Sequence, residues 1–425
     1  MTTLPLKRLE QGIGWGLVVL VAVMPFHAFL SVWLGSLLGH QSLIQAWKEL
    51  LAVILVMATT VIVYREPDRL RRGGQALPLA ALAFVMIALL VTLLHPQSLS
   101  AVVYGIKTDF EFMALFFVAL YGTSGRLYLK FPSIILVTCG IVAAFGILHA
   151  TVLPHDFLTH FGYGPNTIAP FEYVGSLSDT IRTPSTLGGP NQLGSFLVLP
   201  LCLAVVMFLK RPRWSLTLTI VLYSSALWYT YSRSAWLGAV AGIGLTIAAL
   251  VHTRRQAARL AIGATVLVIL AVATLNLGNH SVGLYQYFVL HSGAGVEDNN
   301  STTQHAAAFT AGLTAVRSQP IGNGLGSAGP ASFHAASKLI PENYYLQVAI
   351  ETSILGLIAF LAFISFAAVK LWGSRHQHEL YAATFGALVG LSIVNLFLHG
   401  WADSSTAFIF WIVAGAVLAG DRRYV

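Results

Sequence analysis

The sequence predicts an all-α fold: a polytopic transmembrane helical bundle of about 12 spans, with a large outer loop between spans nine and ten. Composition is the first observation behind this expectation. Of 425 residues, 56% are hydrophobic and 9% are charged, whereas a soluble domain carries roughly 25% charged residues. Spacing is the second. The apolar residues fall in runs of roughly 17–25, parted by short polar breaks, and each run is long enough to cross a bilayer as a helix. The third is a charge bias: most of the 24 Lys and Arg residues fall in alternate breaks, as the positive-inside rule asks of cytoplasmic loops.

Read in order, the spans lie at about 12–34, 46–64, 76–94, 105–121, 131–150, 190–209, 214–231, 233–251, 258–276, 345–369, 380–398 and 402–419. The first follows Lys7-Arg8 and has no small-residue cleavage site at the right distance, so a retained helix is expected. Arg65, Arg69, Arg71 and Arg72 follow the second span, and Arg126 and Lys130 the fourth. Lys210, Arg211 and Arg213 follow the sixth, Arg254, Arg255 and Arg259 the eighth, Lys370 and Arg375 the tenth, and Arg422-Arg423 the last. Spans seven and eight are the hardest to divide, because only Tyr231-Ser232-Arg233-Ser234 interrupts residues 214–251. An Arg in the centre of a long apolar run is costly, and dividing the run there puts Arg233 at a helix start. Merging the two would turn the basic break at 252–259 outward, so the charge bias supports the division and places both termini in the cytoplasm.

The division leaves 18 basic residues inside and 6 outside: Lys48, Lys107, Arg182, Arg233, Arg317 and Lys338. Solubility or contact with lipid headgroups explains outward cations generically. An anionic substrate handled on the outer side explains them specifically. The whole chain, 1–425, reads as one integral membrane domain with two long outer regions, 151–189 and 277–344. Connections longer than roughly 15 residues are usually functional or disordered. The second region contains an amphipathic stretch at about 302–317, with Ala306, Phe309, Leu313 and Val316 on one helical face. Pro320-Ile321-Gly322-Asn323-Gly324-Leu325-Gly326 follows, with alternate glycines suited to a tight turn. Together these predict a helix and a glycine turn lying over the membrane mouth.

Several function classes are set aside. The net charge of +8 does not indicate nucleic-acid binding, because the basic residues are scattered and form no stripe. Cys139 and Cys202 lie inside apolar spans and read as buried small hydrophobes. The 14 histidines, with His155, His160, His280, His291, His305, His334 and His399 outside, form no metal-ligand motif. No nucleotide-binding glycine loop is present either, so neither metal nor cofactor is expected. Gly194, Gly238, Gly242 and Gly244 read as helix packing sites.

Five groups of residues could carry chemistry. Arg233, with Ser232 and Ser234 at a helix start, can meet a phosphate bidentately while hydroxyls and free helix amides add donors; snorkelling to lipid phosphate is the alternative. Arg182 opens the run to Pro190-Asn191, where it is either a second pyrophosphate contact or part of a capping turn. Glu342 and Asn343 precede span ten, either as an N-cap and a helix-end acid or with Glu342 as a proton acceptor or acceptor-sugar ligand, and embedded Glu351 needs a partner. Lys48-Glu49 and Lys107 with Asp109 and Glu111 stand at outer helix mouths as structural ion pairs or as lining of a lipid-phosphate site. Asp403, after His399-Gly400-Trp401, either orients a catalytic partner or caps the last span.

These motifs, in this order and on one face, resemble those of the O-antigen ligase and polymerase superfamily, bacterial polytopic proteins that act on lipid-linked glycans. The resemblance covers most of the chain. It rests on residues 182–191, on Ser232-Arg233-Ser234-Ala235-Trp236-Leu237-Gly238, on 318–326, on 343–356 and on 399–403. It implies a metal-independent glycosyltransferase of surface-polysaccharide or lipopolysaccharide biosynthesis in the inner membrane. The donor would be an undecaprenyl-pyrophosphate-linked glycan, and the acceptor a glycan or lipid. Arg182, Arg233 and, more weakly, Arg317 would hold the pyrophosphate. Glu342 and Arg233 would be catalytic, with Asn343, Ser232, Asn191, Lys48, Lys107 and Asp403 in support. Ligases of the family carry a histidine directly before the Asn that stands here as Asn343; this chain has Glu342 there, and His334 lies eight residues upstream. Ligase and polymerase both remain open, as do a transporter of a small anion such as bicarbonate and a non-catalytic assembly protein.

Overall fold

A computed structural model describes residues 4–124, 126–174, 177–251 and 301–421. The expected ninth span, the basic residues Arg254, Arg255, Arg259, Arg422 and Arg423, and the start of the second outer region lie outside the described residues.

Apolar helices dominate. Six are long and apolar enough to cross a membrane among the described residues, and three shorter ones are similarly apolar. The first span is α1 (Leu4–Val23) and α2 (His27–Leu38), joined by a 3-10 turn at Met24–Phe26 that begins beside Pro25. Next come α3 (Gln41–Gln45), α4 (Trp47–Arg65), α5 (Ala76–Leu94), α6 (Leu99–Gly122) and α7 (Phe131–Thr151). Then follow α8 (Pro190–Lys210), α9 (Trp214–Tyr229) and α10 (Arg233–Ala249). The last four are α11 (Ser301–Ser318), α12 (Tyr344–Gly373), α13 (Glu379–Val394) and α14 (Ser404–Ala419).

The expectation of a purely helical chain needs one correction. The long region between α7 and α8 folds in part into a two-stranded antiparallel hairpin, β1 (Glu172–Val174) and β2 (Leu177–Arg182). Residues 183–187 then thread back towards the bundle, where the Ser185 hydroxyl donates to the Val142 carbonyl at 2.7 Å and the Thr186 hydroxyl to the Pro25 carbonyl at 2.7 Å. The Pro25 break thus has a receiving surface. The strand order of the hairpin matters because it ends on Arg182.

Close helix packing relies on small residues, as is usual where lipid removes the hydrophobic drive between helices. Gly238 and Gly242 of α10 face Gly390 and Gly386 of α13 so closely that a Cβ on any of them would press on a neighbouring atom. Gly194 packs on Ala235 in the same way, whereas Gly244 meets nothing, so it is not a packing site among the described residues.

The described part of the long region before α12 does not simply lie over the bundle. Helix α12 is broken at Ser353, whose φ of 77° is left-handed. In an unbroken helix the carbonyls of Ile350 and Glu351 would accept from amides four residues on. Here they accept from the amides of Asn323 and Gly324, at 2.7 and 3.1 Å. The glycine turn is wedged between that break and the α5–α6 hairpin: the Leu325 amide donates to Thr92 Oγ1 at 3.0 Å, and Gln97 Nε2 donates to the Asn323 carbonyl at 2.7 Å. Gly322, Gly324 and Gly326 all have positive φ (94°, 87° and 80°), and a Cβ at Gly326 would collide with the Ala101 carbonyl. Glu351 finds its partner in the same place, since its Oε1 accepts from the Ala328 amide at 3.1 Å.

Helix α11 is present, but its buried stripe is rotated from the expected one. Gly312 packs against Pro341 and Leu346, while Ala306 and Phe309 are exposed and Leu313 and Val316 half-buried. Close approach selects the glycine, so the small residues and not the large ones mark the contact.

Gly326→Ala is expected to destabilise the fold by roughly 1–3 kcal/mol, from left-handed strain and overpacking. Thermal unfolding of the detergent-solubilised protein reads it, with Gly140→Ala, where a Cβ meets nothing, as a neutral control. Equal unfolding temperatures for the two variants would contradict the wedge.

Candidate functional site

The site starts at the α9–α10 turn. Trp236 Nε1 donates to the Leu227 carbonyl at 2.9 Å, and the Trp228 and Trp236 rings stack at 5.0 Å, which holds the two helices as a hairpin. Tyr231 takes a φ of 50°, and the Ser232 amide donates to Thr230 Oγ1 at 3.1 Å. Helix α10 therefore begins abruptly at Arg233. Ser232 stands at its N-cap without a side-chain cap bond. The first amides of a helix have no intrahelical acceptor and carry partial positive charge.

Strand β2 delivers Arg182 to the same turn. Its Nε donates to the Thr230 carbonyl at 3.0 Å, its Nη2 to Asn191 Oδ1 at 2.7 Å, and its Nη1 to Glu172 Oε2 at 3.1 Å. One guanidinium thus ties β1, the α9 C-terminus and the α8 N-terminus. Burial pushes its pKa below the ordinary Arg value; Glu172 opposes that, and the nearby charge of Arg233 adds to it. Two cations are consequently held close together, a placement that favours a multiply charged anion.

Arg182, Asn191, Tyr231, Ser232, Arg233 and Ser234 line one cavity of about 540 Å³. Helix α11 contributes His305, Ala306, Phe309 and Thr310, and Glu342 completes its polar lining. Leu237 and the turn after α13, Leu396 to Leu398, make the rest apolar. Glu342 has a φ of 49° and precedes Asn343, the residue that caps α12, so it is not the cap itself. Its Oε2 makes an ion-pair contact with Nδ1 of His305, without hydrogen-bond alignment.

Other expected site residues lie elsewhere. Asn343 accepts from the Leu346 amide at 2.9 Å and donates to the Leu396 carbonyl at 2.9 Å, so it builds the cavity rim as a cap and clip. Asp403 accepts from the Thr406 amide at 2.9 Å as the cap of α14. Lys48 and Lys107 both bind Glu49, each at 2.5 Å, and not Asp109 or Glu111. Asp109 instead accepts from Tyr344 at 3.1 Å and Gln347 at 3.3 Å. Arg317 is exposed in the last turn of α11 and is not among the lining residues, which corrects its expected place beside the other arginines. The ammonium of Lys338 lies 4.0 Å from the Phe333 ring, and His334 stacks on Tyr104 at 3.8 Å, so neither reaches Glu342.

His305 is the titratable lining residue to which the sequence alone assigns no place in the site. The sequence offers it only as a candidate metal ligand. Its one legible signal was a position on the rotated stripe, seven residues before Gly312.

A family model described as O-antigen ligase matches residues 218–364. That stretch contains Ser232, Arg233, α11, Glu342 and the break in α12, and leaves Arg182 and Asn191 outside. The match supports the O-antigen ligase superfamily. With the apolar helices it supports a multi-pass bacterial membrane protein of glycosyltransferase-like function in general. No curated protein matches the chain.

His399, beside the rim, supplies a pH test. Its Nε2 is buried, and burial pushes its pKa from 6.5 down to about 4 against the pull of Glu342. A depressed His contributes stability that is present above the unfolded-state value and lost as pH falls towards the folded one. Acid unfolding between pH 6.5 and about 4 should therefore be shallower in His399→Gln than in the unaltered protein. Identical pH slopes would contradict the buried neutral imidazole.

Proposed function

We propose that the chain is a metal-independent glycosyltransferase that transfers or polymerises undecaprenyl-pyrophosphate-linked glycans. In this reading it acts at the outer face of the bacterial cytoplasmic membrane, with about 12 spans and both termini cytoplasmic. One observation carries it: Arg182, Arg233, the start of α10 and Glu342 line the same cavity.

An acceptor hydroxyl attacks the anomeric carbon of the donor sugar. The bond from that carbon to the pyrophosphate oxygen breaks, and undecaprenyl pyrophosphate leaves. Negative charge grows on the leaving oxygen, where fixed donors stabilise it most because they need no reorganisation. Arg233, Arg182 and the first amides of α10 are those donors. Asn191 holds Arg182 in place, and Ser232 adds a hydroxyl. Glu342 supplies the carboxylate that drives removal of the acceptor's proton. Leu237, Phe309, Leu396 and Phe397 give the lipid-bearing end of the donor an apolar surface. Lys48, Lys107, Asn343 and Asp403 support the scaffold. A broken helix is also a feature of transporters, but the carbonyls freed in α12 are occupied by the chain's own turn.

The test is reconstitution in vesicles with a lipid-pyrophosphate-linked glycan. Arg233→Ala should lower transfer by roughly 10²-fold or more, with folded protein retained in the membrane. Lys338→Ala should leave transfer unchanged. Full activity in the Arg233 variant would overturn the phosphate reading. A lengthening glycan on the lipid marks a polymerase, and transfer to a second acceptor marks a ligase.

A further inference from the structure

We infer that Nε2 of His305 receives the acceptor hydroxyl's proton, and that Glu342 acts through it as a positioning residue. The inference rests on the proposed glycosyl transfer and adds to it the identity of the base. Both side chains line the cavity that holds Arg182 and Arg233. The contact joins Glu342 Oε2 to the Nδ1 side of the ring. A carboxylate beside Nδ1 favours the imidazolium through its charge and occupies that side of the ring, which leaves Nε2 as the nitrogen that meets substrate. Nε2 makes no hydrogen bond among the described residues.

Two separate constraints hold the pair together. Glu342 is fixed by its left-handed φ and by Asn343, which caps α12 immediately after it. His305 is fixed by α11, because Gly312 seats that helix on Pro341, directly before Glu342. Among the described residues, the charged groups facing the pair are Arg182 and Arg233 on the other lining elements, and the titratable His399 lies in the turn after α13.

In the step, the hydroxyl O–H bond breaks and an N–H bond forms at Nε2. The hydroxyl oxygen bonds to the anomeric carbon, and the electron pair of the breaking bond leaves with the pyrophosphate. The imidazolium then returns its proton to water.

His305→Ala, Glu342→Gln and Arg233→Ala are compared in the same vesicle assay. His305→Ala should lower kcat by roughly 10²-fold or more with little change in the donor KM. Added imidazole should restore part of that rate in proportion to its neutral fraction, and acetate should not. Glu342→Gln should lower the rate less than His305→Ala and gain nothing from imidazole. A His305→Ala variant with normal kcat, or one that stays slow at every imidazole concentration, overturns the assignment. If Arg233→Ala fails while His305→Ala remains active, only the base is misassigned. If both remain active, the glycosyl-transfer reading of the cavity falls with it.

Discussion

Backbone polar groups inside a bilayer must be satisfied by the protein itself, and the break in α12 shows how this chain meets that requirement. Ser353 leaves the helical conformation, and the carbonyls of Ile350 and Glu351 lose their usual donors. The glycine turn supplies replacements from 27 residues upstream, between Asn323 and Ile350. An unsatisfied group there would cost several kcal/mol, so the turn and the break stabilise each other. The turn in turn anchors the segment that leads to Pro341 and Glu342. One side of the cavity thus depends on a bond pattern that lies away from it.

The other side depends on Arg182. A largely buried guanidinium is expensive unless its donors are used, and three of them bind the Thr230 carbonyl, Asn191 and Glu172. The same bonds close the C-terminus of α9, where helix carbonyls lack partners and attract a cation. Helix α10 starts three residues later with its amides unpaired by the helix. A carbonyl end and an amide end are therefore set next to each other, with Arg182 on the first and Arg233 on the second. Charge that would be a burden to a mere scaffold becomes a fixed field for an anion in the proposed reaction.

The sequence made some of this legible because charge in an apolar context has a cost that composition exposes. Arg233 divides a long apolar run, and Arg182 stands apart from the clusters of basic residues between the apolar runs, so both are conspicuous in the sequence alone. Arg317 stood out equally, yet it ends an exposed helix, because closeness in sequence to the glycine turn says nothing about which way a helix end faces. His305 was hidden for the opposite reason: a histidine in a polar loop helix costs nothing. The stripe of α11 is hard to read from sequence because Ala306, Ala307 and Ala308 carry almost no periodic signal, so Phe309, Leu313 and Val316 set the apparent face. The hairpin of Glu172 and Arg182 was missed as well, since a strand pair of such length leaves little pattern. The family match reaches from 218 to 364 and so speaks to Arg233 and Glu342 but not to Arg182.

The central claim is that one pyrophosphate sits between Arg182, Arg233 and the start of α10. Electron cryo-microscopy of the protein in nanodiscs with undecaprenyl pyrophosphate tests it most directly. The account predicts phosphate density within hydrogen-bond reach of both guanidinium groups, with the lipid chain leaving past Leu237. Density against Lys48 and Lys107, with the Arg182–Arg233 cavity empty, would contradict it.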